Sequence, residues 1–132
     1  MTGALRATRF ELTVAADPAA LSVVRRVTGA FSLSLGLEDS DVADLRLAVT
    51  EVCSSFIAAR PDPNPPAGLR IRASVSGNAL EVSVLDPASP PPGPGTGPPL
   101  PLLAALTRDL ELRGAPGGGM EVRMTFAALP TS

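Results

Sequence analysis

The chain has 132 residues and a formal net charge of −2, with 15 prolines, one cysteine and no histidine, tryptophan or tyrosine. All 11 basic residues are arginine. These absences exclude histidine general bases, histidine metal sites, Schiff-base lysines and the lysine of a phosphate-binding loop. A single Cys53 makes neither an internal disulfide nor a metal cluster, and the mild acidity gives no electrostatic reason to bind nucleic acid.

The length fits one domain with a sizeable core. Four prolines fall in residues 61–66 and eight in residues 87–101. Proline has no N–H to give to a helix interior or a central strand, so both segments are expected to be irregular. No apolar run is long enough to span a membrane, and MTGALRATRF at the start lacks the apolar stretch of a signal peptide. A cytoplasmic protein is expected.

Residues 1–8 show no pattern and are expected to form a flexible tail ahead of one domain at 9–128. Phe10, Leu12 and Val14 alternate with Glu11 and Thr13, which predicts a strand with one buried face. Asp17-Pro18 is a helix start, with Asp as N-cap and Pro in the first turn. Leu21, Val24, Val27, Phe31 and Leu35 then form one apolar stripe that stops at Gly36. A second helix enters through Glu38, Asp39 and Asp41, whose carboxylates suit the positive end of the helix dipole. Its stripe is Leu45, Val49, Val52 and Phe56, and it is expected to end at Arg60, before Pro61.

PDPNPPAG (61–68) is a connector. Leu69, Ile71, Ala73 and Val75 alternate with polar residues, Gly77-Asn78 is a turn signal, and Leu80, Val82 and Val84 alternate again. That pattern predicts a β-hairpin. After the Pro/Gly-rich stretch 87–99, LPLLAALTRDL (100–110) is expected to form a short helix. Leu110 and Leu112 begin a strand, residues 114–119 turn, and Met120, Val122, Met124 and Phe126 line one face of the last strand. The order β-α-α-β-β-α-β-β, with every strand apolar on one face, predicts an α/β (α+β) two-layer sandwich. Its sheet would have about five strands, mixed but mostly antiparallel, under three helices on one face.

Glu51 and Ser55 lie four apart on the second helix and so share a face, offset from the core stripe, along which Asp44 also lies. With DVADLRLAVTEVC (41–53) as its strongest stretch, the chain resembles the anti-sigma factor and serine-protein kinase family of the GHKL (Bergerat-fold) ATPases. It is most similar to the actinobacterial-type anti-sigma factors, here with a degenerate nucleotide site, over roughly residues 9–127.

The resemblance implies a nucleotide site at Glu51, Ser55, Asp86, Gly95 and Gly97. In the family a Glu at the position of Glu51 activates the attacking hydroxyl, and an Asn four residues later holds Mg²⁺. Ser55 stands in that second place, and a hydroxyl is a poorer ligand for a hard cation than an amide carbonyl. The family's Asp-x-Gly-x-Gly becomes Asp86-Pro87-Ala88-Ser89-Pro90, so the adenine-reading Asp is kept and both glycines are gone. The lid glycines persist as GPGTG (93–97), a Pro/Gly-rich degenerate lid, and Gly119-Met120 stands where the family has Gly-Thr. ATP and Mg²⁺ are thus possible cofactors but not the expected ones, and no metal site is expected.

Arg25-Arg26 and the segment to Phe31 match the family's first helix, where an arginine at the place of Arg26 contacts the sigma factor and its competitor. Ser22 and Arg25 flank it. The implied partners are an alternative sigma factor, a STAS-domain anti-anti-sigma protein and a second copy in a homodimer, without nucleic acid or membrane. The other reading the family allows is an active serine kinase acting on its anti-anti-sigma partner, with Glu51 as base. Without the resemblance, plainer roles stand beside these: Glu51 as a solvated helix carboxylate, Asp86 as a strand-end turn residue, and Arg25 and Arg26 as the wet face of the first helix.

Overall fold

A computed structural model describes residues 8–59, 68–89 and 97–126. The connector 61–67, the lid residues 90–96 with Gly95, and most of the tail lie outside the described residues, as does Arg60. Five strands, β1 (Arg9–Ala15), β2 (Gly68–Ser76), β3 (Ala79–Asp86), β4 (Asp109–Gly114) and β5 (Met120–Phe126), form one sheet in the order β1-β2-β3-β5-β4. The sheet expected to be mostly antiparallel is antiparallel in every pairing. Helices α1 (Leu21–Ser34), α2 (Asp39–Ala58) and α3 (Leu100–Leu106) complete an α+β sandwich.

The two-residue period of each strand sets one row in register across the whole sheet: Leu12, Ile71, Val84, Val122 and Leu112. A second inner row is Phe10, Ala73, Val82, Met124 and Leu110. The members on the three central strands are buried, because the helices lie on this face. Between these rows the outward residues are polar, as in Glu11, Arg72, Ser83, Arg123 and Glu111. The ladder starts at Thr8, placed in the tail by pattern, whose carbonyl accepts from the Val75 N–H at 2.9 Å.

Asp17 caps the expected helix start, its Oδ1 accepting from the Ala19 N–H at 2.9 Å, but Pro18–Ala20 is a separate 3₁₀ turn before α1. Helix α1 ends one residue short of Leu35, and Gly36 takes φ of 79° to turn the chain toward α2. The stripe predicted for α1 is there, with Phe31 set edge-on to Phe10 at 4.8 Å. A second strip, Thr28, Gly29 and Ser32, is buried as well. Its small residues let α2 pack close, an interface that an apolar stripe alone does not announce.

In α2, the predicted Leu45, Val49, Val52 and Phe56 are joined in the core by Val42, Ala48 and Cys53. The helix expected to run to residue 110 stops at Leu106. Thr107 is extended, and the Arg108 N–H already donates to the Thr125 carbonyl at 2.7 Å, so sheet pairing takes the residues that a last helical turn would have used. No described helix is long and apolar enough to cross a membrane.

Cys53 is fully buried, and desolvation pushes its thiol from 9.0 up to about 12. Unfolding returns it to its ordinary value, so this residue's contribution to stability is complete below about pH 9 and is lost as pH rises toward 12. At pH 8 we expect no reaction of the folded protein with a thiol-specific disulfide reagent over minutes, and immediate reaction in urea. Rapid labelling of the folded state would mean that Cys53 is not in the core.

Candidate functional site

Asp86 continues the inward phase of Leu80, Val82 and Val84, so β3 ends by placing a carboxylate between the sheet and its helices. It is 1% exposed, the one buried acidic residue among those described. Its Oδ1 accepts from the Ala88 N–H at 3.0 Å, and its carbonyl accepts from the Ser89 N–H at 3.3 Å. Those two bonds fold residues 86–89 into a closed Asx-type turn. Asp86 thus has the strand-end turn role in this structure.

Across the ladder Asp86 pairs with Met120, and Gly119 sits just before it with φ of 94°. A Cβ on Gly119 would collide with the Asp86 carbonyl oxygen and lie 2.6 Å from Pro87 Cα. Backbone thus fills the space beside Asp86, and only glycine fits there. Gly97, the first described residue after position 89, has φ of 109°, its missing Cβ 3.5 Å from Leu112 on β4. Gly95 is outside the described residues.

Helix α3 follows, seven residues long, with Pro99 as its N-cap and no side-chain cap. Pro99 and Pro101 bring no N–H, and the Leu103 N–H is spent on the Pro99 carbonyl at 3.1 Å. The prolines therefore supply no N–H at the N-cap and at the second position of the helix.

Glu51 and Ser55 are both half-buried on α2. Glu51 opens onto a shallow cleft of about 310 Å³ between α1 and α2, lined also by Arg25, Ala43, Arg46, Leu47 and Thr50. The structure thereby brings together Glu51 and Arg25, which the sequence assigned to two different sites. Ser22 and Arg26 are exposed on α1.

Sequence reasoning missed Arg46 and Thr50. The signals were a glycine inside a helical pattern at residue 29 and an arginine one step off the core stripe. Gly29 is where α2 lays Arg46 across α1: Arg46 Cδ lies 3.2 Å and Nε 3.4 Å from the place of a Gly29 Cβ.

Residues 14–126 match the model of the histidine kinase-like ATPase domain. The chain belongs to that family. Among solved structures it is similar to the crystal structure of the RsbU and RsbW domains of Rv1364c from Mycobacterium tuberculosis. That match has a TM-score of 0.76 at 21% identity and covers 94% of this chain and 33% of the other. The chain thus spans about a third of the length of that protein's chain. No curated protein matches the sequence.

The packing of this ATPase-family strand end against Gly119 makes a measurable claim. Gly119→Ala should lower stability in urea unfolding by on the order of 2 kcal/mol or more, from backbone strain and collision together. Gly117→Ala, at φ of 85° with nothing within 4 Å of the same position, should cost only the backbone part, about 1 kcal/mol. Equal losses would remove the close packing of Gly119 on Asp86 and Pro87.

Proposed function

We propose that the chain is an anti-sigma factor that sequesters an alternative sigma factor of the stress or development type. A STAS-type anti-anti-sigma protein releases it by competing for an overlapping surface, and the protein works as a cytoplasmic homodimer without phosphoryl transfer. Arg26 carries the contact, with Arg25 and Ser22 beside it on α1. A planar guanidinium suits this task because it grips a carboxylate bidentately.

The observation that carries the reading is the state of Asp86. One oxygen of its carboxylate, Oδ1, accepts within its own turn, and Pro87 packs against Gly119, at the place where the resemblance puts the adenine contact. The residues here suit ATP and Mg²⁺ poorly: a Ser55 hydroxyl replaces an amide ligand, and prolines thin out the donors at the start of α3. Inhibition by sequestration needs surface complementarity alone, whereas phosphoryl transfer needs the charge on the phosphates neutralised. The RsbW domain of the similar solved structure supports a partner-switching role.

A specific observation favours the kinase reading. Glu51 is half-buried on α2 and makes no ion pair with a described residue, as a base awaiting a serine hydroxyl would stand.

Calorimetric titration with ATP·Mg²⁺ separates the two readings, and we expect no saturable heat. Micromolar binding that is lost in Asp86→Asn, a change that preserves an acceptor for the Ala88 N–H, would overturn the non-catalytic reading. For the interface, Arg26→Glu should abolish capture of the cognate sigma factor while leaving the unfolding midpoint in place. Unchanged capture would remove Arg26 from the contact.

A further inference from the structure

Four of the five arginines on the open sheet face pair with glutamate, whereas the three on α1 and α2 make no ion pair with a described residue. On the open sheet face Arg70, Arg72, Arg113 and Arg123 each reach a glutamate at 2.8–3.8 Å. On the helix layer Arg25, Arg26 and Arg46 make no ion pair or side-chain hydrogen bond with any described residue. Three cations thus make no ion pair with a described residue and lie on helices that also expose apolar side chains. Leu47 is 42% and Leu33 59% exposed, the latter on the outward strip of α1 that also holds Ser22 and Arg26.

Arg46 does not sit in this seam by chance of rotamer. Because Gly29 has no side chain, the stem of Arg46 lies against α1, its Cδ 3.2 Å from the place of a Gly29 Cβ. Arg25 and Arg46 line one cleft with Ala43 and Leu47 as its apolar part, and Thr50 adds a buried hydroxyl with no hydrogen-bond partner among the described residues. Glu51 lies at the same cleft, so the groove is cationic with one negative position.

We propose that the seam between α1 and α2 is a docking groove for an acidic amphipathic helix of a partner protein. Carboxylates of that helix pair with Arg25 and Arg46, its apolar residues cover Leu47, and Glu51 rejects a carboxylate at one position and so sets the register. Exposed Leu47 and Ala43 beside Arg25 and Arg46 favour a protein helix over the phosphates of a nucleic acid, which offer them nothing. The proposal rests on the reading of α1 as a partner-binding surface and extends that surface onto α2, with Arg46 as a contact and Gly29 as the residue that positions it.

The test uses the full chain and a fluorescein-labelled helical peptide with a leucine strip flanked by glutamates, followed by anisotropy at low salt. A peptide with lysine for each glutamate and a single-stranded oligonucleotide serve as the other probes. We expect saturable binding of the acidic peptide alone, weakened about tenfold by Arg46→Glu. Gly29→Ala shifts only the end of a flexible side chain. It should weaken binding about threefold with the urea midpoint unchanged or raised, because alanine is the better helix former.

Absent or charge-independent peptide binding, indifference to Arg46→Glu, or preference for the oligonucleotide would each overturn the groove. Failure of the two readings is distinguishable. Sigma capture lost in Arg26→Glu but intact in Arg46→Glu rejects the groove and keeps the anti-sigma reading. Peptide binding that depends on Arg46, with no sigma factor captured, does the reverse.

Discussion

The one-sided burial of the sheet governs everything else in this molecule. Two inner rows, one through Ile71, Val84 and Val122 and one through Ala73, Val82 and Met124, must be kept from water across the central strands. A slip of one residue in any strand would turn its apolar set outward, so the register is tightly held. The helices exist in their positions because this face has to be covered. The stripe Leu45, Val49, Val52 and Phe56 orients α2 on it, and that orientation leaves Glu51 facing the seam with α1. The same period puts Asp86 inward at the end of β3, which is why an acidic residue is 1% exposed.

Charge is distributed according to the same division. The open sheet face carries crossed arginine–glutamate pairs, such as Arg113 with Glu121 at 2.8 Å and Arg72 with Glu11 at 3.5 Å. Exposed pairs of this kind contribute about 0–1 kcal/mol each, so their main effect is to leave the face nearly neutral. On the helix layer, Arg25, Arg26 and Arg46 make no ion pair with a described residue, although Glu51 shares the cleft of Arg25 and Arg46. An unpaired arginine in water is no burden to the fold, and it is available for a carboxylate from outside. The likeness to a nucleotide-binding family therefore coexists with a surface whose free chemistry is on the helices.

The prolines fall mostly in two clusters. The cluster in residues 61–66 falls between α2 and β2 in the sequence and lies outside the described residues. The cluster in residues 87–101 is described only at its two ends, residues 87–89 and 97–101. Pro87 fits against Gly119, while Pro99 and Pro101 thin out the N–H groups at the start of α3. A compositional excess thus becomes an argument about which backbone atoms are left to hold a ligand.

Much of the fold was legible because periodicity is a local property. The hairpin around Gly77-Asn78, the last strand and the core stripe of α2 follow from residue spacing alone. The true end of α3 did not, because Thr107 and Arg108 leave the helix only when Thr125 offers a sheet partner. The buried strip Thr28, Gly29 and Ser32 was also hidden, since small residues signal close packing only once a second helix is there to pack. At the candidate site, the sequence alone determined which residue types are present: a Glu and a Ser four apart on one helix, and an Asp at the end of a strand. Only the tertiary structure decided what those residues face. It closed Asp86 into a turn beside Gly119, joined Glu51 to Arg25 in one cleft, and laid Arg46 over Gly29. These are contacts between segments far apart in the chain, and a strand's or helix's own periodicity carries no information about its partner.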